Sequence, residues 1–235
     1  MEGELAARDP VGHGPTEAIG EKEILMAGFG GQGIVLMGSI LGKAATIHDL
    51  KHATMIQAYG PEARGGSCSS QVIISEEEIL YPYVQQPRVL VCMSQEGFEK
   101  NIGSLSAEGL LVWDTDLVQT GDLDSGWAAY HIPATRFAEK LGTRMMANIV
   151  MLGFLSALSD VVRPDSLREA ALSSVPPKTK DKNAEAFDRG REYGEAIQKS
   201  RTKLDQSPGT GAAAGAAAGA ESGAETAPTT GAETE

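Results

Sequence analysis

ILMAGFGGQGIVLMGSILGKAATIHDLKHATMIQAYGPEARGGSCSS, residues 24–70, holds a strand, a glycine turn, a helix and a second strand in close succession. The apolar run Ile24 to Ala27 breaks at Gly28-Phe29-Gly30-Gly31-Gln32-Gly33. From Ile34 to Ile47 the residues Leu36, Ile40, Leu41, Ala44 and Ile47 recur at helical spacing. Gly28, Gly30 and Gly33 satisfy G-x-G-x-x-G, the turn that lets a pyrophosphate sit on a helix N-terminus. Further on, Tyr59-Gly60-Pro61-Glu62-Ala63-Arg64-Gly65-Gly66 is a Gly/Pro-rich loop carrying one carboxylate and one guanidinium. It separates two strand-like runs, His52 to Ala58 and Ser67 to Ser75.

A dinucleotide site needs more than the glycines. An acidic residue at the end of the second strand must hold the ribose hydroxyls. That strand, Thr54 to Ala58, ends in Tyr59; Asp49 is at the right distance by count but precedes the strand. The ribose ligand is therefore missing. Gly28, Gly30, Gly31, Gln32 and Gly33 read better as a turn that lets the helix pack closely on the sheet.

Outward from this stretch, strand and helix signals alternate. Val89 to Met93 is a continuous apolar run of the kind buried in a parallel sheet. Ser94 is placed to N-cap a helix through Asn101. Leu110 to Trp113 and Ala128 to Ile132 read as further strands, and Pro133 suits the first position of a helix that Gly142 stops. Met145 to Leu158 is apolar over most of its circumference and should be buried. Pro164 opens a helix to Ser173, and Thr179 to Lys203 forms a charged one. Its thin stripe of Ala186, Phe187, Gly190, Tyr193, Gly194 and Ile197 suits either the domain or a partner. Partial alternation in Ser67 to Ser75 suggests a sheet edge or a small excursion. The whole predicts a three-layer α/β/α fold with a mostly parallel, Rossmann-like sheet in one domain, residues 22–203. Residues 1–21 read as a flexible acidic arm, and 204–235, with GAAAGAAAGA, as a disordered Gly/Ala-rich tail.

The formal net charge of −12 belongs mainly to those ends: −4 lies before Ile24 and −5 from Asp205 onward, which leaves −3 between them. With no basic stripe to neutralise phosphates, nucleic acid is not an expected partner. No run reaches the length of a membrane span, and the N-terminus lacks the apolar core of a signal peptide, so a soluble cytoplasmic protein is expected.

Catalytic chemistry is hard to find. Cys68 and Cys92 belong to no C-x-x-C pair, and an iron–sulfur cluster usually takes four cysteines, so the chain should hold none alone. His48 and His52 have i, i+4 spacing, but the helix end between them argues against a metal site. His131 closes an apolar strand and reads as structural. Asp114 and Asp116 end a strand and should cap the following turn. The candidates for an interface or ligand-proximal surface are Tyr59, Gly60, Glu62, Arg64, Gly65 and Gly66. A guanidinium between glycines can meet a carboxylate or phosphate in bidentate fashion, pair with Glu62, or contact a neighbouring subunit.

GFGGQGIVLMGSILGKAA, HATMIQAYGPEARGGSCSSQVIIS and YPYVQQPRVLVCMSQEGFEKN follow one another as in a known family, and LLVWDTDLV, IPATRFAEKLG and MMANIVMLGFLSAL continue the match over about Lys22 to Ser200. The chain resembles the gamma subunit of 2-oxoacid:ferredoxin oxidoreductases, the small subunit of the 2-oxoglutarate, pyruvate and 2-oxoisovalerate enzymes. The loop departs from it slightly, since relatives often carry Val or Met where this chain has Ala63.

The resemblance implies CoA-dependent oxidative decarboxylation of a 2-oxoacid to acyl-CoA and CO2, with reduction of external ferredoxin. It implies alpha and beta subunits that bind thiamine diphosphate and Mg2+ between them, and [4Fe–4S] clusters elsewhere, with a ferredoxin-like delta subunit. No catalytic residue and no metal site would lie on this chain, and no thiamine-diphosphate signature of the G-D-G…N type is present in it. Three other readings stay open: the small subunit of an indolepyruvate or arylglyoxylate oxidoreductase, a free-standing NAD- or FAD-binding Rossmann protein, and a non-enzymatic scaffold.

Overall fold

The computed structural model describes residues 20–61 and 65–205. Most of the expected arm and tail, and Glu62, Ala63 and Arg64 of the loop, lie outside the described residues. Six strands form one sheet: β1 (Lys22–Phe29), β2 (His52–Tyr59), β3 (Ser67–Ser75), β4 (Val89–Cys92), β5 (Leu110–Asp114) and β6 (Ala128–Ile132). Their order is β2-β3-β1-β4-β5-β6. The pairs β1–β4, β4–β5 and β5–β6 are parallel, while β3 runs antiparallel to both β1 and β2. Five strands thus share one direction and β3 alone opposes them.

That position corrects the expectation for Ser67 to Ser75. It is neither an edge nor an excursion but an interior strand paired along its length on both sides. The physical reason is the short Gly/Pro loop before it, which permits a hairpin return but not a helical crossover. Its mixed sequence still alternates, with Cys68, Val72 and Ile74 entering the larger core.

The faces of the sheet are unequally covered. Ile24, Met26, Val91 and Val112 face a core shared with α1 (Ile34–Lys43), α3 (Ala134–Lys140), α4 (Ala147–Leu158) and α5 (Pro164–Ser173). Leu25, Leu90, Cys92, Leu111 and Trp113 face a smaller core closed by Phe98 of α2 (Gln95–Asn101) and by Leu105 and Val118 from loops. The expected three layers exist, but the second is a single short helix with loops.

Local boundaries follow the chemistry. Helix α1 continues as a π-helical turn, Ala44–His48, which reaches the predicted end at Ile47. Ser94 does N-cap α2, its hydroxyl accepting from the Gly97 amide at 3.0 Å. Pro133 stands one residue before the helix it was expected to open, in the N-cap position of α3. Ten of the twelve residues of α4 are buried.

Helix α6 (Lys180–Asp205) resolves the question of its stripe, which packs on α4. At Gly190 a β-carbon would overlap the Val150 carbonyl oxygen, and at Gly153 it would overlap the Phe187 carbonyl oxygen. The two backbones touch through their glycines, which is why so narrow a stripe is enough. Tyr193 meets Phe154 of α4 at 5.8 Å between ring centres and stands edge-on to Phe137 of α3 at 5.4 Å.

Candidate functional site

In an open α/β sheet, ligands gather outside the carboxyl ends of the strands where the direction of winding reverses. Here that point lies between β1 and β4, since β1 leads through α1 to β2 on one side and β4 leads through α2 to β5 on the other. The predicted glycine turn stands at this point. Gly31 and Gly33 have φ of 96° and 79°, left-handed values that favour glycine. At Gly28 a β-carbon would come within 2.5 Å of Gln32 Oε1.

The Gln32 side chain bridges the two strands at this point. Its Oε1 accepts from the Phe29 amide at 2.6 Å, and its Nε2 donates to the Met93 carbonyl at 2.8 Å. It therefore ties the end of β1 to the residue after β4. The Gly30 amide donates to the Gly66 carbonyl at 2.9 Å, and the Gln32 amide to the Phe29 carbonyl at 3.2 Å. The amides of Phe29, Gly30 and Gln32 are thus engaged within the chain. The spacing places Gln32 in the turn but carries no sign of this role, because nothing in such a pattern tells where an amide side chain folds back.

The remaining candidates flank the same corner. The Gly60 amide donates to the Ser67 carbonyl at 2.7 Å and closes the base of the β2–β3 loop. Tyr59 is 64% exposed, with its hydroxyl donating to Gln57 Oε1 at 3.0 Å. Gly65 lies near Gly30, whose absent β-carbon would come within 3.5 Å of the Gly65 nitrogen. Tyr59, Gly60, Ser67, Ser69, Lys100 and Asn101 line a narrow cleft of about 70 Å³ beside the turn. The structure thus brings Tyr59, Gly60, Gly65 and Gly66 together with Gly30. Glu62 and Arg64, the charged members of the set, lie outside the described residues.

Asp49 is not a ribose ligand. It follows the π-helical turn, on the order of 20 Å along the helix from Gly33 at about 1.5 Å per residue. Its side chain is 3% exposed and caps α5 from outside that helix. It accepts from the Arg163 amide at 2.8 Å, Arg163 Nε at 2.7 Å and the Ser166 hydroxyl at 2.5 Å. Burial works to raise this carboxyl, but the Ser166 hydroxyl and the Arg163 amide and guanidinium outweigh it and hold it below the usual carboxylate range.

Asp114 and Asp116 cap, as expected, and do more. Asp114 accepts from the Asp116 amide at 3.0 Å, which closes the turn, and from the Thr135 amide at 2.8 Å and hydroxyl at 2.6 Å, which caps α3. Burial pushes its carboxyl above the usual range against these bonds, and the Asp116 charge adds to the rise. Asp116 pairs with Arg136, whose hydrogen bonds lower its carboxyl. His131, expected to be structural, is exposed on β6, its ring 5.2 Å from that of Trp113. His48 meets Glu169 at 3.5 Å, whereas His52 opens β2.

Cys68 and Cys92 are buried in different cores on opposite faces of the sheet. They cannot ligate one metal together, so this donor set does not fit an iron–sulfur cluster. Burial raises both thiols, Cys92 to about 12. Among the described residues no helix is long and apolar enough to cross a membrane.

Residues 23–193 match the family model described as pyruvate ferredoxin/flavodoxin oxidoreductase. The chain is 45% identical over 178 residues to 2-oxoglutarate synthase subunit KorC of Methanocaldococcus jannaschii, covering 75% of this chain and 95% of that one. It is 36% identical over 177 residues to ketoisovalerate oxidoreductase subunit VorA of Methanothermobacter thermautotrophicus, covering 74% of this chain but only 36% of that longer one. Among solved structures, the gamma subunit of the keto/oxoacid ferredoxin oxidoreductase of Geobacter sulfurreducens superposes with a TM-score of 0.66 at 37% identity, covering 74% of this chain and 99% of that one. On these matches the chain belongs to the pyruvate ferredoxin/flavodoxin oxidoreductase family, as a gamma-type subunit of a 2-oxoacid:ferredoxin oxidoreductase.

Proposed function

We propose that this chain serves a 2-oxoglutarate-oxidising member of the family. The assembled enzyme would convert 2-oxoglutarate and CoA to the acyl-CoA and CO2, passing electrons to ferredoxin. The observation that carries the substrate choice is the higher identity with the 2-oxoglutarate subunit than with the ketoisovalerate subunit, over nearly the whole of the former. Thiamine diphosphate and Mg2+ are assigned to alpha and beta subunits, and the [4Fe–4S] clusters to a ferredoxin-like delta subunit. The two cysteines on opposite faces of this sheet support leaving the clusters to other chains. A cytoplasmic location goes with CoA and ferredoxin as co-substrates.

On this reading the gamma chain contributes shape and a charged loop rather than a nucleophile. Tyr59, Glu62 and Arg64, which flank or belong to the segment between Gly60 and Gly66, would serve the CoA-side or active-site interface. The guanidinium there would orient an anionic group of a co-substrate or of a neighbouring subunit.

Gentle anaerobic affinity purification of the full chain from its host tests the reading. Co-purification of the other subunits, a brown iron–sulfur spectrum and ferredoxin reduction with 2-oxoglutarate are expected. Preference for pyruvate, 2-oxoisovalerate or an aromatic 2-oxoacid would overturn the substrate choice. A colourless chain carrying NAD or FAD alone would overturn the function.

A further inference from the structure

Two glycines with left-handed φ, Gly31 at 96° and Gly33 at 79°, stand on either side of Gln32. A third, Gly28, leaves room for it, since a β-carbon there would come within 2.5 Å of Gln32 Oε1. The glycine pattern shared with nucleotide turns thus seats a glutamine. Its side-chain amide offers an acceptor and a donor on one planar group, and the turn uses both, toward Phe29 and Met93. Ionised glutamate lacks the donor, and methionine has only a weak acceptor.

Gln32 ties together the two walls of the cleft beside the turn. One wall, with Tyr59, Ser67 and Ser69, belongs to the β2–β3 corner. It is carried by the end of β1, where Phe29 pairs with Ser67 and the Gly30 amide donates to the Gly66 carbonyl. The other wall, with Gly97, Lys100 and Asn101, is α2. Ser94 caps that helix, and Met93 stands directly before the cap. One end of the Gln32 side-chain amide therefore fixes the first wall and the other end fixes the second. Gln32 is not among the described residues that line the cleft. The Met93 amide also donates to the Ala27 carbonyl at 2.8 Å, so β1 and β4 stay joined without the glutamine. Within the cleft, the Lys100 ammonium and the Ser67 and Ser69 hydroxyls bond to no other described group. A cleft of about 70 Å³ leaves little slack, and binding groups must be held to within about 0.5 Å of their productive places.

We infer that Gln32 is a positioning residue of the enzyme, fixing the spacing of α2 and the β2–β3 corner so that the cleft between them meets CoA preformed. This role rests on the reading of the corner as the CoA-side surface and adds to it the residue that sets its geometry.

The test uses the intact complex with this chain as wild type, Gln32→Met, Gln32→Glu and Lys100→Ala, matched for subunit content. Gln32→Met keeps the length of the side chain and loses the bond to Met93. KM for CoA should rise by about fivefold or more, while kcat and KM for the 2-oxoacid stay within about twofold of wild type. A protonated glutamate regains both an acceptor and a donor. The Gln32→Glu defect, relative to wild type at the same pH, should therefore shrink as pH falls toward the pKa of that carboxyl, whereas Gln32→Met should not recover. Equal losses in kcat and both KM values, with no recovery at low pH, would mark a folding role only and overturn the inference. Wild-type constants in both Gln32 variants, with KM for CoA raised in Lys100→Ala, would overturn it and leave the corner at the CoA side. Wild-type constants in all three variants would overturn the reading of the corner itself.

Discussion

The Gly30 amide and the Gly66 carbonyl meet at 2.9 Å, so the turn after β1 and the closing limb of the β2–β3 loop are tied into one corner. The loop between those limbs carries Glu62 and Arg64. Arg64→Ala in the intact complex should raise KM for CoA or the 2-oxoacid, or lower kcat/KM, by about tenfold or more, in the range of a lost charge-assisted hydrogen bond. Arg64→Lys should restore only part of this, because an ammonium cannot bond in bidentate fashion. Steady-state kinetics on complexes matched for subunit content decide it; unchanged constants would remove the loop from the site.

Gln32 offers a test of the crevice. Gln32→Ala removes the bonds to Phe29 and Met93 and should lower stability by about 1–3 kcal/mol, read from urea denaturation. The vacated crevice should still fail to bind NAD in calorimetry, because the ribose acid remains absent and the Gly30 amide stays engaged. Appearance of NAD affinity would mean that the glutamine alone had been blocking a nucleotide site.

The contact between α4 and α6 predicts an order of costs among glycines. Gly190→Ala forces a methyl group against the Val150 carbonyl, part of a helix backbone that cannot swing aside. A loss of about 3 kcal/mol is expected, at the upper end for overpacking. Gly42→Ala, on α1 with open space where its β-carbon would stand, should be neutral or stabilising by up to about 1 kcal/mol. Chemical denaturation of the two variants checks the order.

Asp49 makes stability depend on pH in a defined direction. Its folded carboxyl lies below the ordinary aspartate range, so its contribution is present above that range and is lost as pH falls through the folded pKa. Asp49→Ala should cost about 2–3 kcal/mol near neutral pH, the scale of hydrogen bonds to a charged group. The difference from wild type should shrink below about pH 4. Asp114 has the opposite sign: its raised carboxyl favours the folded state when protonated, so its penalty grows as pH rises above the unfolded value. Denaturation curves at several pH values for Asp49→Ala and Asp114→Asn should therefore diverge from wild type in opposite senses.

Much of this fold is legible in the sequence where one physical signal dominates. Val89 to Cys92 and Leu110 to Trp113 are fully buried in their strands, and their unbroken apolar runs say so. Ser94 caps α2 as its position before Gln95 and Glu96 predicts. The place of β3 is not legible, because alternation tells which residues share a face and not which neighbours a strand has. The fate of the α6 stripe is hidden for a different reason. Its small area suggests weak packing, whereas the contact depends on Gly153, Gly190 and Gly194, residues that sequence patterns score as breakers. At the candidate site the glycines are visible, and the missing ribose acid already favours a packing turn. The fold-back of Gln32 onto Met93, which holds that turn, is not legible in the spacing.

The reversed strand β3 has a consequence for how this family of sheets can diversify. In a wholly parallel arrangement the chain leaving β2 would have to cross the sheet, and any change in that crossover would disturb the layer packed on it. With β3 turned back, residues 60–66 are a hairpin connection whose ends are fixed by the Tyr59–Cys68 register and the Gly60–Ser67 bond. Length and charge in such a connection change at small entropic cost, roughly 0.6 kcal/mol per doubling, while every ladder bond stays in place. Mutation can therefore revise chemistry at this corner almost independently of the fold that supports it.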